Sequence, residues 1–86
     1  MLLINIMIMP EFIFTKHVKL RIKQRDLDEK LIKETLENPE QISPGLFGRA
    51  LAQKSFGDKT LEVVHVKRNN NFIIITAYFL RGGGKK

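Results

Sequence analysis

Eighty-six residues with 43% apolar and 28% charged content make one small folded domain, too short to carry a second module. The chain has no cysteine, which excludes disulfides, thiolate metal sites and a cysteine nucleophile, and suits a cytoplasmic setting. Its net charge of +6 is uneven: residues 15–25 hold five cations and no acid, residues 26–40 are net acidic, and the rest is basic again. Such a distribution favours a phosphate polymer or an acidic protein as partner.

Residues 1–11 open on the apolar run Leu2–Met9, which Pro10 and Glu11 stop. The run is about half the roughly twenty residues that a membrane-spanning helix needs. It also lacks the cationic start and small-residue cleavage site of a signal peptide. It is expected to be an edge strand, or an extension ahead of a start at Met7 or Met9, and no membrane association is expected.

A single domain is expected over residues 12–81. Thr15 has the chemistry of an N-cap, opening a helix to about Arg25 with Phe14 placed as a hydrophobic staple. Asp26-Leu27-Asp28-Glu29 then reads as a capping box, Asp26 capping and Glu29 reaching back. The second helix carries the apolar face Leu27, Leu31, Ile32 and Leu36, and Asn38-Pro39 ends it.

Everything after Pro39 has strand character. Ser43-Pro44-Gly45 predicts a turn, Arg49 to Phe56 a strand, and Gly57-Asp58-Lys59 a second turn. Leu61 to Arg68 is a β-branched strand, and Asn69-Asn70-Asn71 a tight turn tolerant of positive φ. Phe72 to Leu80 is the most apolar strand and is expected to be central. The expected fold is α+β: two N-terminal helices packed on a three- to four-stranded antiparallel β-meander. Residues 82–86 are expected to be a flexible basic tail. The string Leu80-Arg81-Gly82-Gly83 is shared with ubiquitin-like C-termini, but that fold begins with a hairpin rather than with helices.

The helical segment carries the chemistry. At 3.6 residues per turn, His17, Arg21, Gln24 and Arg25 fall on one side, while Lys16, Lys19 and Lys23 fall on the far side. The apolar Val18, Leu20 and Ile22 flank the His/Arg group, so that group points towards the core side and the lysines towards solvent. Neither histidine, His17 or His65, sits with carboxylates at metal-ligand spacing, and the only glycine cluster is the tail. No metal and no cofactor are therefore expected.

RNA carries its own nucleophile, the 2′-hydroxyl, so its cleavage needs only a proton carrier near neutral pKa, cations for the phosphate, and groups that orient the substrate. His17 fits the proton carrier, and Arg21 and Arg25 fit a phosphate clamp. Thr76 and Tyr78 are two residues apart on the last strand and so share a face. Simple alternation gives that face to Phe72, Ile74 and Leu80 as well, under the helices. Arg49 and Lys54 are further nucleic-acid-binding candidates, on opposite faces of an earlier strand. The bland alternatives are a solvated helix face, strand residues that merely suit a pleated surface, and, for His65, a structural place among valines.

The string Thr15-Lys16-His17, with Arg21 and Arg25 at four-residue steps and then Leu36-Glu37-Asn38-Pro39, resembles the family called domain of unknown function 4258. The likeness continues through the basic strand around Arg49, Leu61-Glu62-Val63-Val64 and Ile75-Thr76-Ala77-Tyr78, covering Phe12 to Leu80. Asp26 departs from it, standing where such sequences often place glycine. The family resembles the RelE, barnase, EndoU and colicin-type ribonuclease toxins. What this implies is a helix pair before a curved antiparallel sheet and a metal-independent, RNA-cleaving toxin. His17, Arg21, Arg25, Thr76 and Tyr78 would be its functional positions, and an acidic antitoxin a second partner beside RNA. The alternative is a non-catalytic RNA-binding or protein-interaction domain.

Overall fold

The structure, a computed structural model, describes residues 10–80. The expectations for the apolar N-terminal run and for the basic tail lie outside these residues. Strand β1 (Phe12–Phe14) leads directly into helix α1 (Lys16–Arg25), followed by helix α2 (Glu29–Glu37). Strands β2 (Gln41–Pro44), β3 (Ala50–Phe56), β4 (Lys59–Arg68) and β5 (Asn71–Leu80) complete the chain, with a short turn, Leu46–Gly48, between β2 and β3.

All five strands form one mixed sheet in the order β1-β5-β4-β3-β2, with β1 parallel to β5 and every other pair antiparallel. This corrects the expected three- to four-stranded antiparallel meander preceded only by helices. β1 is three residues long, too short for a period-2 signal, and its pairing with β5 spans most of the chain. It is held by Phe12 stacking on Phe72 at 5.4 Å and by Phe72 N–H donating to Glu11 O at 2.8 Å. β2 occupies positions where a turn was expected. Pro44 is tolerated there because β2 is an edge strand, where a missing N–H breaks no ladder. The chain reverses later, closed by Gly45 N–H to Arg49 O at 2.8 Å. β5 is flanked on both sides, but the middle strand is β4.

Both helices cover one face of the sheet. Val18 of α1 and Ile32 and Leu36 of α2 are buried together with Leu27, Ala52, Leu61, Val63, Phe72, Ile74 and Ala77. α1 lies against β5 and α2 against β4 and β3. Thr15 is the N-cap of α1 as expected: its Oγ1 accepts from Val18 N–H at 3.3 Å and donates to Ile74 O at 2.8 Å, tying the helix start to β5.

The expected capping role of Asp26 is corrected. Asp26 closes α1 in the left-handed region (φ 55°), while Asp28 caps α2, its Oδ1 accepting from Lys30 N–H at 2.8 Å. A left-handed residue is a common way to end a helix, and the short Asp side chain tolerates that conformation better than most. The Asn turn is as expected, with Asn69 and Asn70 both at positive φ.

Two substitutions test this account. Thr15→Ala loses the cap and the tie to β5 and is expected to destabilise by about 1–2 kcal/mol. Asp26→Gly relieves the left-handed backbone and is expected to raise stability by about 0.5–1 kcal/mol. Urea unfolding of the three proteins side by side reads both effects.

Candidate functional site

The expected core-side placement of the His/Arg group of α1 is corrected: His17, Gln24 and Arg25 are exposed like the lysines, and only Arg21 is half-buried, because Val18 and Ile22 alone turn to the sheet. Lys16, Lys19 and Lys23 are exposed, Val18 is fully buried and Ile22 half-buried. Leu20, expected beside the His/Arg group, is instead half exposed. Arg21 is half-buried on the flank between core and solvent. Its Nε donates to His17 Nε2 at 3.4 Å and its Nη1 to Gln24 Oε1 at 3.0 Å. The first bond requires neutral His17 with its proton on Nδ1. Arg25 is exposed in the last helical turn, where a cation meets the partial negative charge of the helix end.

Thr76 and Tyr78 stand on the opposite face from the one expected for them. Val64 pairs with Thr76, but the next β4 residue, His65, pairs with Ile74, so Ile75 is an extra residue on β5. A bulge of this kind reverses which side chains face the core. Before it, Phe72 and Ile74 lie under the helices; after it, Ala77 and Phe79 do, and Thr76, Tyr78 and Leu80 turn to the uncovered face. Thr76 and Tyr78 therefore do not share a face with Phe72 and Ile74. Among the described residues no hydrogen bond or ion pair joins Thr76 or Tyr78 to His17, Arg21 or Arg25. What links the two groups is Thr15, whose hydroxyl pins the start of α1 to Ile74 O, next to the bulge.

On the uncovered face the row Gln53–Glu62–Tyr78 crosses β3, β4 and β5 in register. Gln53 Nε2 donates to Glu62 Oε1 at 2.6 Å and Tyr78 OH donates to Glu62 Oε2 at 2.5 Å. Glu62 is only 7% exposed, so the two donors satisfy a carboxylate largely withdrawn from water. Burial, followed by the hydrogen bond to Glu62 and that group's negative charge, pushes the Tyr78 phenol up to about 12. Tyr78 is thus a hydrogen-bond donor at neutral pH rather than a base. The neighbouring row is Ser43–Leu51–Val64–Thr76. Glu62 and Gln53 were not among the sequence candidates. The one available signal was an acid at the start of a β-branched strand, and without the bulge it would fall opposite Ala77.

Arg49 is exposed beside the Leu46–Gly48 turn, its guanidinium 5.9 Å from the Phe47 ring centre. Lys54 projects to the helix-covered face. Its Nζ donates to Asn38 O at 3.0 Å and lies 3.8 Å from Glu34 Oε2, closing the C-terminal end of α2. The two residues do lie on opposite faces, as alternation predicts. His65 is buried, edge-on to Phe72 at 5.6 Å, and burial together with the Lys67 charge lowers its pKa, against the opposing pull of its hydrogen bond to Val63 O. It is a core residue. Among the described residues no group of three or more His, Cys, Asp or Glu stands together, and no helix is long and apolar enough to cross a membrane.

Comparison with known proteins gives a class first. Residues 14–79 match the model of the family described as Domain of unknown function (DUF4258), and the chain belongs to that family. No curated protein and no solved structure matches the chain.

Tyr78 is the only tyrosine and the chain has no tryptophan, so phenolate absorbance reads this one group. In the native protein the midpoint is expected near 12, against about 10 in denaturant. A phenol whose folded pKa is raised contributes stability that is present below about pH 10 and is lost as pH rises to about 12. Tyr78→Phe is expected to remove this alkaline loss and, by leaving Glu62 one donor short, to destabilise by about 1–3 kcal/mol at neutral pH.

Proposed function

We propose that the protein is a metal-independent endoribonuclease of the toxin type, acting across the β5 edge beyond Ile74, which among the described residues the three-residue β1 leaves unpaired, with α1 on the covered side of that edge and Thr76 and Tyr78 on the uncovered side. His17 carries the proton, Arg21 and Arg25 hold the phosphate, and Thr76 and Tyr78 orient the substrate, Thr76 through its hydroxyl and Tyr78 as an acceptor, since its own proton goes to Glu62. The observation that carries this reading is the Thr15 hydroxyl bond to Ile74 O, which fastens the His17 end of α1 beside the bulge that turns Thr76 and Tyr78 to the uncovered face. The acid-free His/Arg flank of α1 adds a surface suited to a polyanion. The resemblance of the family to ribonuclease toxins suggests the same chemistry for the Thr-Lys-His, Arg, Arg string, with an acidic antitoxin as the protein partner.

The 2′-hydroxyl attacks the adjacent phosphorus as His17 accepts its proton at Nε2, the P–O5′ bond breaks with the leaving oxygen taking a proton from water, and a 2′,3′-cyclic phosphate and a 5′-hydroxyl result. Accepting that proton requires Arg21 to release Nε2, since an imidazolium cannot accept its hydrogen bond. The freed guanidinium is then available to the phosphate, so proton uptake and phosphate binding are coupled in one pair of side chains.

The second reading is an RNA-binding domain without cleavage. The Arg21–His17 bond and the Tyr78–Glu62 bond favour it, because each engages a group that catalysis would use.

RNA digestion in the presence of a chelator separates the two. The endoribonuclease leaves 2′,3′-cyclic ends, and His17→Ala lowers turnover by about 10²–10⁴-fold with RNA affinity retained. Equal cleavage by wild type and His17→Ala would sink the role given to His17. Binding that weakens with salt, with no cleavage at any protein concentration, would establish the second reading. In either case each of Arg21→Ala and Arg25→Ala is expected to lower the salt slope by about one contact's worth.

A further inference from the structure

The uncovered face of the sheet carries a second feature that the proposed reaction does not use. A cavity of about 540 Å³ opens between the Leu46–Gly48 turn and the sheet, floored by Leu51 and Val64 and bounded by Pro44 and Gly45. Among the described residues its only charged lining residue is Arg49. Phe47 stands at the rim, 86% exposed, with Leu46 beside it at 76%. An open apolar pocket with a single convergent charge has the form of a small-ligand site.

Phe47 also sits in the left-handed region, with φ 55° and ψ 41°. For a bulky residue this conformation is strained, and an exposed ring gains little from folding to offset it. Two features that folding alone disfavours, a strained backbone and a solvent-facing phenyl ring, thus coincide at the mouth of a cavity. The Arg49 guanidinium 5.9 Å from the ring centre completes a pair of flat surfaces, one of them cationic.

We propose that this cavity is a base-binding subsite for single-stranded RNA. A base stacks on Phe47 over the apolar floor, and its phosphate meets Arg49. A planar base with an attached anion matches an aromatic ring, an apolar floor and one cation with no acid in the lining. The subsite rests on the RNA reading above and deepens it. Val64 lies on the cavity floor and pairs directly with Thr76, one strand spacing of about 4.8 Å away. A base held over Val64 with one flanking phosphate on Arg49 leaves its other flanking phosphate on the Thr76 side. Phe47 is a substrate-positioning residue in this arrangement, with no part in proton transfer.

The test measures binding of short poly(A) and poly(U) oligonucleotides by fluorescence anisotropy as a function of salt. Phe47→Gly is expected to weaken binding by about ten- to a hundredfold, the usual worth of a base–aromatic stack, with an unchanged salt slope. Phe47→Tyr is expected to retain wild-type affinity, and Arg49→Gln to lower the slope by about one. Phe47→Gly should melt no lower than wild type, since glycine suits the left-handed backbone and the ring is exposed. Wild-type affinity in Phe47→Gly would overturn the subsite. A simultaneous loss in Arg21→Ala would show that the RNA reading stands without it. No RNA binding by the wild type overturns both. Shifts of the Leu51 and Val64 methyl resonances with an acidic peptide of alternating Leu and Glu, but not with oligonucleotide, would assign the cavity to a protein instead.

Discussion

Ile75 is left without a cross-strand partner where Val64 faces Thr76 and His65 faces Ile74, and the two faces of the sheet exchange residues at that point. Counted regularly from the Asn69–Asn70 turn, which sets Arg68 against Asn71, the ladder would put Thr76 opposite Val63 and Tyr78 opposite Leu61. Both hydroxyls would then enter the apolar layer beneath the helices, where an unsatisfied polar group costs about 1–3 kcal/mol. With one residue inserted, Ala77 and Phe79 take those places and Tyr78 meets Glu62 instead. The local departure from regular pairing thus serves the core and turns the hydroxyls to the uncovered face in a single step. The same point receives the Thr15 hydroxyl, so the start of α1 is referenced to the bulge.

The two sides of the sheet divide the labour. The covered side is ordinary core, completed by His65 held neutral among Val63 and Phe72 and by Lys54 closing the end of α2. The uncovered side is an ordered polar row, Gln53–Glu62–Tyr78, beside an apolar row ending in Thr76, with the Arg49–Phe47 pair at its margin. For a phosphate ligand the Glu62 anion is the chief electrostatic obstacle on that side. Gln53 and Tyr78 each donate to one of its oxygens, and Arg49, beside the Leu46–Gly48 turn, stands at the margin of the same face, while the α1 cations belong to the helix-covered side. Burial first, and then the hydrogen bond and charge of that carboxylate, raise the Tyr78 phenol further above its ordinary value. The anion is thereby part of what holds the phenol as a donor.

Much of the element structure was legible because it rests on short-range physics. The Thr15 cap, the amphipathic second helix, the Asn-Pro stop and the left-handed Asn pair each depend on neighbours within a few residues. The outward lysines and inward Val18 of α1 follow from the helical period. The failures have a common cause. β1 exists through contacts with Phe72 and Ile74 some sixty residues away, and β2 exists through pairing with β3 at a tolerant sheet edge. Asp28 took the capping role expected of Asp26 because α1 closes on Asp26 itself, so that α2 starts only at Glu29.

For the candidate site, the residues themselves were nameable from sequence, since His17, Arg21 and Arg25 follow the helix period and Thr76 and Tyr78 the strand period. Their common period could not say which face they share, because a bulge leaves no mark in a run of Ile73, Ile74 and Ile75. Every residue of that run is compatible with either side. Nor could it reveal Glu62 and Gln53, which become partners of Tyr78 only once the register has moved by one. The sequence by itself therefore determined the helices, the turns and the chemical groups on offer, all of them consequences of local periodicity and side-chain type. Only the tertiary structure decided which of those groups meet, because register, bulge and the tie from Thr15 to β5 are settled by burying one apolar layer as a whole.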